Sequence, residues 1–222
     1  MSKSPFHFVA IGLAALGFLT GTALFRTESA VLTYGGAENA VLQDGIFDGS
    51  VSLGYSAYAD QRLLSACLAG MTGVRRLANT AEDNLRFAGH CRSIADAAIE
   101  RVPLSSFAWC VRAQTSALLG DFAAMNSELR KSRELGKYEG WIALNRNLIA
   151  EENFASLDAD ARTGNDADLA IMATSQTGIA AISRLYRADP EFRERMSKIA
   201  SGLPADAQDR FVYELKRGLG AG

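Results

Sequence analysis

Side chains that could do chemistry are few in this sequence, and their spacing forms no known catalytic motif. The two histidines are His7, inside a long apolar segment, and His90, which adjoins Cys91. Neighbouring residues of a helix point to different faces, so His90 and Cys91 are not a nucleophile and its base. The sequence has no GxSxG motif, no HExxH motif and no phosphate-binding glycine loop. We therefore expect a non-catalytic protein with no cofactor and no bound metal.

Carboxylates offer the one enzymatic alternative, an envelope hydrolase that uses acids carried on helices. Its candidates are Glu151 with Glu152, or Glu100, although adjacent acids on a helix point apart. The acidic stretch 158–168 lacks the glycine and glutamate that a calcium loop needs at its sixth and twelfth positions. We interpret its acids as loop residues followed by a helix cap, with Asn165 or Asp166 capping one long helix through Arg187.

The three cysteines are Cys67, Cys91 and Cys110, and none forms a C-x-x-C motif for zinc or redox chemistry. An antiparallel helix pair that turns near Asn79 would bring Cys67 opposite Cys91. A disulfide between them is then predicted if the domain lies in an oxidising compartment, with Cys110 free and buried. The alternative is that all three are small buried apolar residues.

Residues 6–25 carry no formal charge and are long enough to cross a bilayer as a helix. Lys3 precedes this block, which favours a single-pass anchor in the bacterial inner membrane with a periplasmic C-terminal domain. A cleaved signal peptide, giving a secreted or periplasmic protein, and a buried core helix are the alternatives. Gly17 and Gly21 form a GxxxG pair that would allow two membrane helices to pack as a homodimer.

The rest of the chain predicts an all-α protein. Its 23 basic and 25 acidic side chains give a formal net charge of −2, which does not indicate nucleic-acid binding. We divide the chain into an anchor at 1–26, a glycine-containing spacer at 27–56 and a helical domain at 57–222. Helices are expected at 107–119, 122–135 and 140–152. The last has its apolar side at Trp141, Leu144, Leu148 and Ile149.

The helix pair at 106–139 resembles one tetratricopeptide repeat, the 34-residue unit of two antiparallel helices. The residues that carry the resemblance pack or turn the repeat, and they are Trp109, Ala113, Gly120, Phe122 and Leu129. Lys137 stands where the closing proline is usual, so the match is partial. The resemblance implies helix hairpins in a right-handed superhelix with a concave groove, used to bind proteins without chemistry of its own.

These observations together predict a membrane-anchored adaptor that binds another envelope protein, in polysaccharide or envelope assembly. The partner surface is predicted on a basic cluster at the end of the repeat, made of Arg130, Lys131, Arg133 and Lys137 together with Arg146. The alternative explanation is that cations near a helix C-terminus stabilise the helix dipole. A third possibility is a purely structural subunit whose groove is filled by its own C-terminal helix from Ala205.

Overall fold

The computed structural model describes residues 5–32 and 40–219, and this part of the chain is helical, with no strand. The α-helices in chain order are α1 (Pro5–Leu32), α2 (Ala40–Phe47), α3 (Ala57–Thr72), α4 (Val74–Ala78), α5 (Ala81–Arg101), α6 (Ser106–Leu118), α7 (Phe122–Leu135), α8 (Gly140–Glu152), α9 (Ala159–Met172), α10 (Gln176–Ala188), α11 (Pro190–Ser201) and α12 (Ala205–Leu219). The predicted all-α class is confirmed. The central part of the predicted spacer, 33–39, lies outside the described residues.

The chain forms two compact units, Met1–Ile94 and Ala95–Gly222, called unit 1 and unit 2 below. The boundary falls inside α5, whereas the sequence predicted a single helical domain at 57–222. Unit 1 also includes part of the predicted spacer, because α2 packs on α3 and buries Leu42 and Ile46. Burial of these apolar side chains makes α2 part of the core of unit 1. The glycine content of the spacer did not predict this packing.

One helix of the described residues is long and apolar enough to cross a membrane. Its apolar window is Phe8–Arg26, with a mean hydropathy of 2.0 and no part of it buried inside the protein. Length and composition are the basis of this statement, and a signal sequence has the same properties. Gly17 and Gly21 lie in the window with open space around them, and the GxxxG contact stays a prediction.

The helix α1 continues beyond the apolar window and contacts the start of α3. The carboxylate of Glu28 accepts hydrogen bonds from the backbone N–H groups of Tyr55 and Ser56 and from the Ser56 hydroxyl, the last at 2.6 Å. Ser56 is also the N-cap of α3. A Cβ on Gly54 would lie only 2.8 Å from Glu28 Oε1, so glycine permits this close approach.

A disulfide joins α3 to α5 inside unit 1. It links Cys67 and Cys91, both fully buried, with their Cα atoms 5.6 Å apart. Nearby, the ring of Phe87 fills the space beside Gly70, and His90 Nδ1 lies 2.7 Å from the carbonyl oxygen of Ile46. His90 is therefore held by α2, and Cys110, in unit 2, is a free buried thiol.

The helices α6 and α7 of unit 2 pack antiparallel, and their bounds confirm the helices predicted at 107–119 and 122–135 to within a residue. Ser106 at the start of α6 and Ser132 near the end of α7 meet at the open end of the hairpin. Each donates a hydroxyl hydrogen bond of 2.8 Å to the other's carbonyl oxygen. Gly120 adopts a φ of 77° in the turn, a conformation that favours glycine. Asp121 then caps α7 by accepting from the Ala124 N–H.

The single long helix predicted from Asn165 or Asp166 to Arg187 is wrong. The structure has two helices there, α9 and α10, and the first begins at Ala159, inside the predicted loop. Asp158 caps α9, while Ser175 caps α10. Gly178 then packs so closely on the backbone of Met172 that a side chain would not fit, so glycine is needed where α10 begins against the end of α9.

The helices α9 to α12 share one apolar core in unit 2. Its buried members are Leu169, Met172, Ala173, Ile179, Ile182, Phe192, Met196, Ala200, Phe211 and Leu215. The C-terminal helix α12 enters this core through Phe211 and Leu215 and packs mainly on α10. Burial of the leucine, isoleucine, methionine and phenylalanine side chains, at about 1.5–3 kcal/mol each, holds the C-terminal helices together.

Candidate functional site

The most concentrated polar chemistry of unit 2 is a buried ion pair between α8 and α9. Arg146 and Asp168 are each only 2% exposed. The guanidinium donates two parallel hydrogen bonds, from Nε to Asp168 Oδ2 at 2.7 Å and from Nη2 to Asp168 Oδ1 at 2.9 Å. Such bidentate, charge-assisted pairs are among the strongest polar contacts in proteins. Longer bonds of 3.4 Å reach the Ser132 hydroxyl and the Gly136 carbonyl on the α7 side.

A second chain of hydrogen bonds runs beside this pair and extends it to α11. Asn147 donates its amide to Asn165 Oδ1 at 2.8 Å, and Asn165 in turn donates to Glu151 Oε1. Arg195 of α11 forms an ion pair with the same Glu151 carboxylate. We call the residues Ser132, Arg146, Asn147, Glu151, Asn165, Asp168 and Arg195 the polar network. It connects four helices, α7, α8, α9 and α11.

Glu151, an acid of the hydrolase alternative, is largely buried on α8. Burial raises the pKa of Glu151 above its ordinary value, while the hydrogen bond from Asn165 and the charge of Arg195 oppose this effect. A raised carboxylate pKa is a property of many catalytic acids. Here, however, both groups that contact the carboxylate belong to the polar network, and they orient it within the packing of α8, α9 and α11.

The polar network borders a small cavity between α7, α8 and α9. The cavity measures about 20 Å³, and its charged lining consists of Arg130, Arg133, Arg146 and Asp168. That volume has room for about one water molecule and excludes a sugar or a peptide. Because the guanidinium and carboxylate groups around it bind each other, the arrangement is suited to fixing helices in place.

The apolar side predicted for α8 is wrong at two positions. Trp141 and Leu148 are about half exposed, although Trp141 retains a ring contact with Phe107 at a centroid distance of 4.7 Å. The buried face instead carries Arg146 and Asn147 among its apolar residues. These two polar side chains are buried because α9 supplies Asp168 and Asn165 as partners.

The predicted basic cluster does not form one open surface. Arg146 is wrong as a partner-binding residue, because its guanidinium is buried and occupied by Asp168. Arg130 pairs with Asp158 at 2.6 Å, and Lys131 pairs with Glu134 at 3.1 Å. Arg133 donates to the Gly164 carbonyl at 3.1 Å and is half-buried. Lys137 is exposed and lies over the ring of Tyr138.

The five residues predicted to pack the repeat divide into two groups. Ala113 and Leu129 are buried, and Gly120 makes the turn described above. Trp109 is half-buried, and its indole N–H donates to the Pro103 carbonyl at 3.0 Å. Phe122, at the start of α7, is 39% exposed, so its ring is only partly covered, and its packing role stays a prediction.

Replacing Asp158 by alanine should cost about 1 kcal/mol at neutral pH, since this residue is the N-cap of α9. The hydrogen bond from the Ala161 N–H, helped by Arg130, lowers the pKa of Asp158. A lowered pKa means that folding favours the ionised form. The ionised Asp158 therefore makes its full contribution to the free energy of unfolding above the ordinary aspartate pKa. This contribution disappears as the pH falls through the lowered pKa of the folded protein.

Urea unfolding of the wild type and the Asp158→Ala variant, at neutral pH and in acid, measures both effects. The change Asp160→Ala is a matched control in the first turn of α9, where the acid is not the cap, and should cost less. A difference between wild type and Asp158→Ala that persists undiminished in strong acid would contradict the pKa argument.

Only a faint signal in the sequence indicates the polar network. Arg146 falls at helical spacing with Ile142, Ile149 and Ala150, all of which are buried, so a charged residue interrupts an apolar face. Such an interruption indicates a buried polar partner somewhere in the fold. Nothing local identifies that partner as Asp168, which lies two or three residues into the long helix predicted from Asn165 or Asp166. No protein-family model matches the chain, and no curated protein or solved structure matches it significantly.

Proposed function

We propose that the protein is a single-pass, membrane-anchored adaptor of the bacterial cell envelope, which binds another envelope protein through its helical domain. The observation that carries this proposal is α1, an unburied helix of membrane-spanning length that continues directly into the fold of unit 1. A retained anchor is favoured over a cleaved signal sequence because the small residues Gly21, Thr22 and Ala23, which could serve as a cleavage site, lie inside the apolar run of α1.

Two features support a periplasmic rather than a cytoplasmic domain. Lys3 and the positively charged amino terminus precede the apolar block, whereas Arg26 alone follows it closely, which favours an N-terminus inside the cell. The disulfide between Cys67 and Cys91 is typical of an oxidising compartment.

The adaptor role rests on the helical architecture of unit 2. The antiparallel pair α6–α7, with its glycine turn and its buried Ala113 and Leu129, is compatible with one tetratricopeptide-like hairpin. The charged groups of the polar network bind each other, which favours a scaffold over an enzyme. A part in polysaccharide or envelope assembly follows by analogy with anchored helical-repeat proteins.

Fusions of alkaline phosphatase and of green fluorescent protein to the C-terminus test the topology in living bacteria. We expect active phosphatase and a dark fluorescent protein, because the first needs periplasmic disulfides and the second folds in the cytoplasm. A fusion that lacks residues 1–26 is the control and should give the reverse result. A bright fluorescent fusion of the full chain would exclude the periplasmic domain.

The binding role needs a separate experiment in the native membrane. Chemical crosslinking, followed by purification and mass spectrometry, should recover one or a few envelope proteins reproducibly. The same procedure with the anchorless chain controls for chance encounters in solution. Crosslinks that occur only within the chain or to abundant unrelated proteins would argue for the purely structural subunit instead.

A further inference from the structure

The hydrogen bonds of Glu28 fix the distance between the apolar window of α1 and the start of α3. The window ends at Arg26, and Glu28 follows two residues later, about 3 Å further along the helix axis. Because Glu28 accepts from the backbone of Tyr55 and Ser56, the chain at these residues lies at the depth where α1 would leave the hydrocarbon. The first turn of α3 is thus held at the water–lipid boundary.

Two tyrosines of this region are largely exposed. The side chain of Tyr55 is 70% exposed and that of Tyr58 is 59% exposed. Arg62 lies one helical turn beyond Tyr58, with its guanidinium 5.9 Å from the ring centroid and a long hydrogen bond of 3.5 Å to the Tyr58 hydroxyl. Arg26 is exposed at the end of the apolar window itself.

We propose that Tyr55, Tyr58 and Arg26 form a lipid-contacting surface of unit 1, which rests on the bilayer around α1. Tyrosine is enriched at membrane interfaces, because its ring is apolar and its hydroxyl hydrogen-bonds to headgroups and water. An arginine at the end of a membrane helix extends its guanidinium towards the phosphates. This inference rests on the proposed function, in which α1 spans the membrane.

The carboxylate of Glu28 fits this position despite its negative charge. It accepts three hydrogen bonds from Tyr55 and Ser56, and it lies at the N-terminus of α3, where the helix dipole is positive. The donors therefore satisfy the carboxylate without lipid or water. The contact also holds the tyrosine-bearing turn close to α1, so that unit 1 cannot swing freely away from the bilayer.

The wild-type chain allows a direct test by hydroxyl-radical footprinting in nanodiscs of phosphatidylcholine and phosphatidylglycerol. Tyr213 of α12 is 63% exposed and provides a control of the same residue type and similar exposure. We expect Tyr55 and Tyr58 to be oxidised several-fold less than Tyr213, because lipid shields them. Equal oxidation of the three tyrosines would overturn the lipid contact.

Single tryptophans at two depths, in the middle of α1 and at the proposed surface, test the lipid contact separately from the membrane anchor. In a Trp109→Phe, Trp141→Phe background, Phe18→Trp reports the middle of α1, and Tyr55→Trp reports the surface. We expect deeply brominated lipids to quench the first and lipids brominated near the headgroup to quench the second. Quenching at position 18 but not at 55 overturns only the lipid contact. Absence of quenching at position 18 overturns the membrane anchor itself and the lipid contact with it.

Discussion

The Arg146→Ala variant should lose about 3–5 kcal/mol of unfolding free energy, the usual effect of removing one member of a buried ion pair. The change leaves Asp168, only 2% exposed, without the two hydrogen bonds that stabilise its charge. It also withdraws the donors that reach Ser132 and Gly136 from α8. A loss of this size is a large fraction of the stability of a typical domain.

Urea unfolding of the full chain in mild detergent measures the loss through tryptophan fluorescence. The only two tryptophans, Trp109 and Trp141, both belong to unit 2, so the signal reports that unit alone. The matched control is Arg130→Ala, which removes an exposed ion pair with Asp158 and should cost about 0.2–1 kcal/mol. Equal losses in the two variants would contradict the structural role of Arg146.

A double variant separates two free energies: the loss caused by leaving Asp168 buried without Arg146, and the net contribution of the ion pair to stability. In Arg146→Met/Asp168→Leu both members of the pair are absent, and Arg133, whose Nε lies 3.7 Å from Asp168 Oδ1 in the wild type, keeps its hydrogen bond to the Gly164 carbonyl. We expect this variant to recover most of the stability that Arg146→Ala loses, since apolar replacements of buried pairs are often neutral or stabilising. A double variant less stable than Arg146→Ala would show that the pair itself contributes net stability.

The Cys67→Ala/Cys91→Ala variant has the second large expected effect. The disulfide closes a loop with a sequence separation of 24 residues. The chain-entropy relation gives a stabilisation of roughly 3–4 kcal/mol for a loop of that length. We therefore expect unit 1 to unfold at a markedly lower urea concentration in the variant, and in the wild type after reduction.

Far-UV circular dichroism follows this change, because unit 1 has no tryptophan. The tryptophan transition of unit 2 is the internal control and should stay where it is in the wild type. Non-reducing peptide mapping of the membrane-extracted wild type should find a free thiol only at Cys110. Free thiols at Cys67 and Cys91 would contradict the disulfide and weaken the argument for a periplasmic domain.

Local signals were sufficient for most helices. Gly120 and Asp121 are turn and cap residues recognisable in the sequence between α6 and α7, and Asp189 with Pro190 is a recognisable helix start at α11. These signals act over three or four residues, through backbone conformation and capping bonds, and so they can be recognised without knowledge of the fold. The division of 159–188 into two helices was missed, because the close contact of Gly178 with Met172 depends on how the turn packs.

The polar network was the least predictable part of the molecule. Arg146 was expected at the surface with Lys137, since arginine is rarely buried, and Asn165 and Asp168 belonged to a stretch too polar to suggest a core helix. Each of these residues is buried only because the other helix supplies a partner, 22 residues away for Arg146 and Asp168. A pattern confined to one helix contains no information about that partner.

The sequence by itself determined the helical class of the described chain and the long apolar helix at its N-terminus, because helix periodicity, caps and hydropathy are properties of neighbouring residues. Only the tertiary structure decided that Arg146 of the basic cluster is buried and that Trp141 and Leu148 are half exposed. It also decided that Glu28 holds Tyr55 beside α1. Burial of a charge depends on distant donors and acceptors, and these meet only when the helices pack.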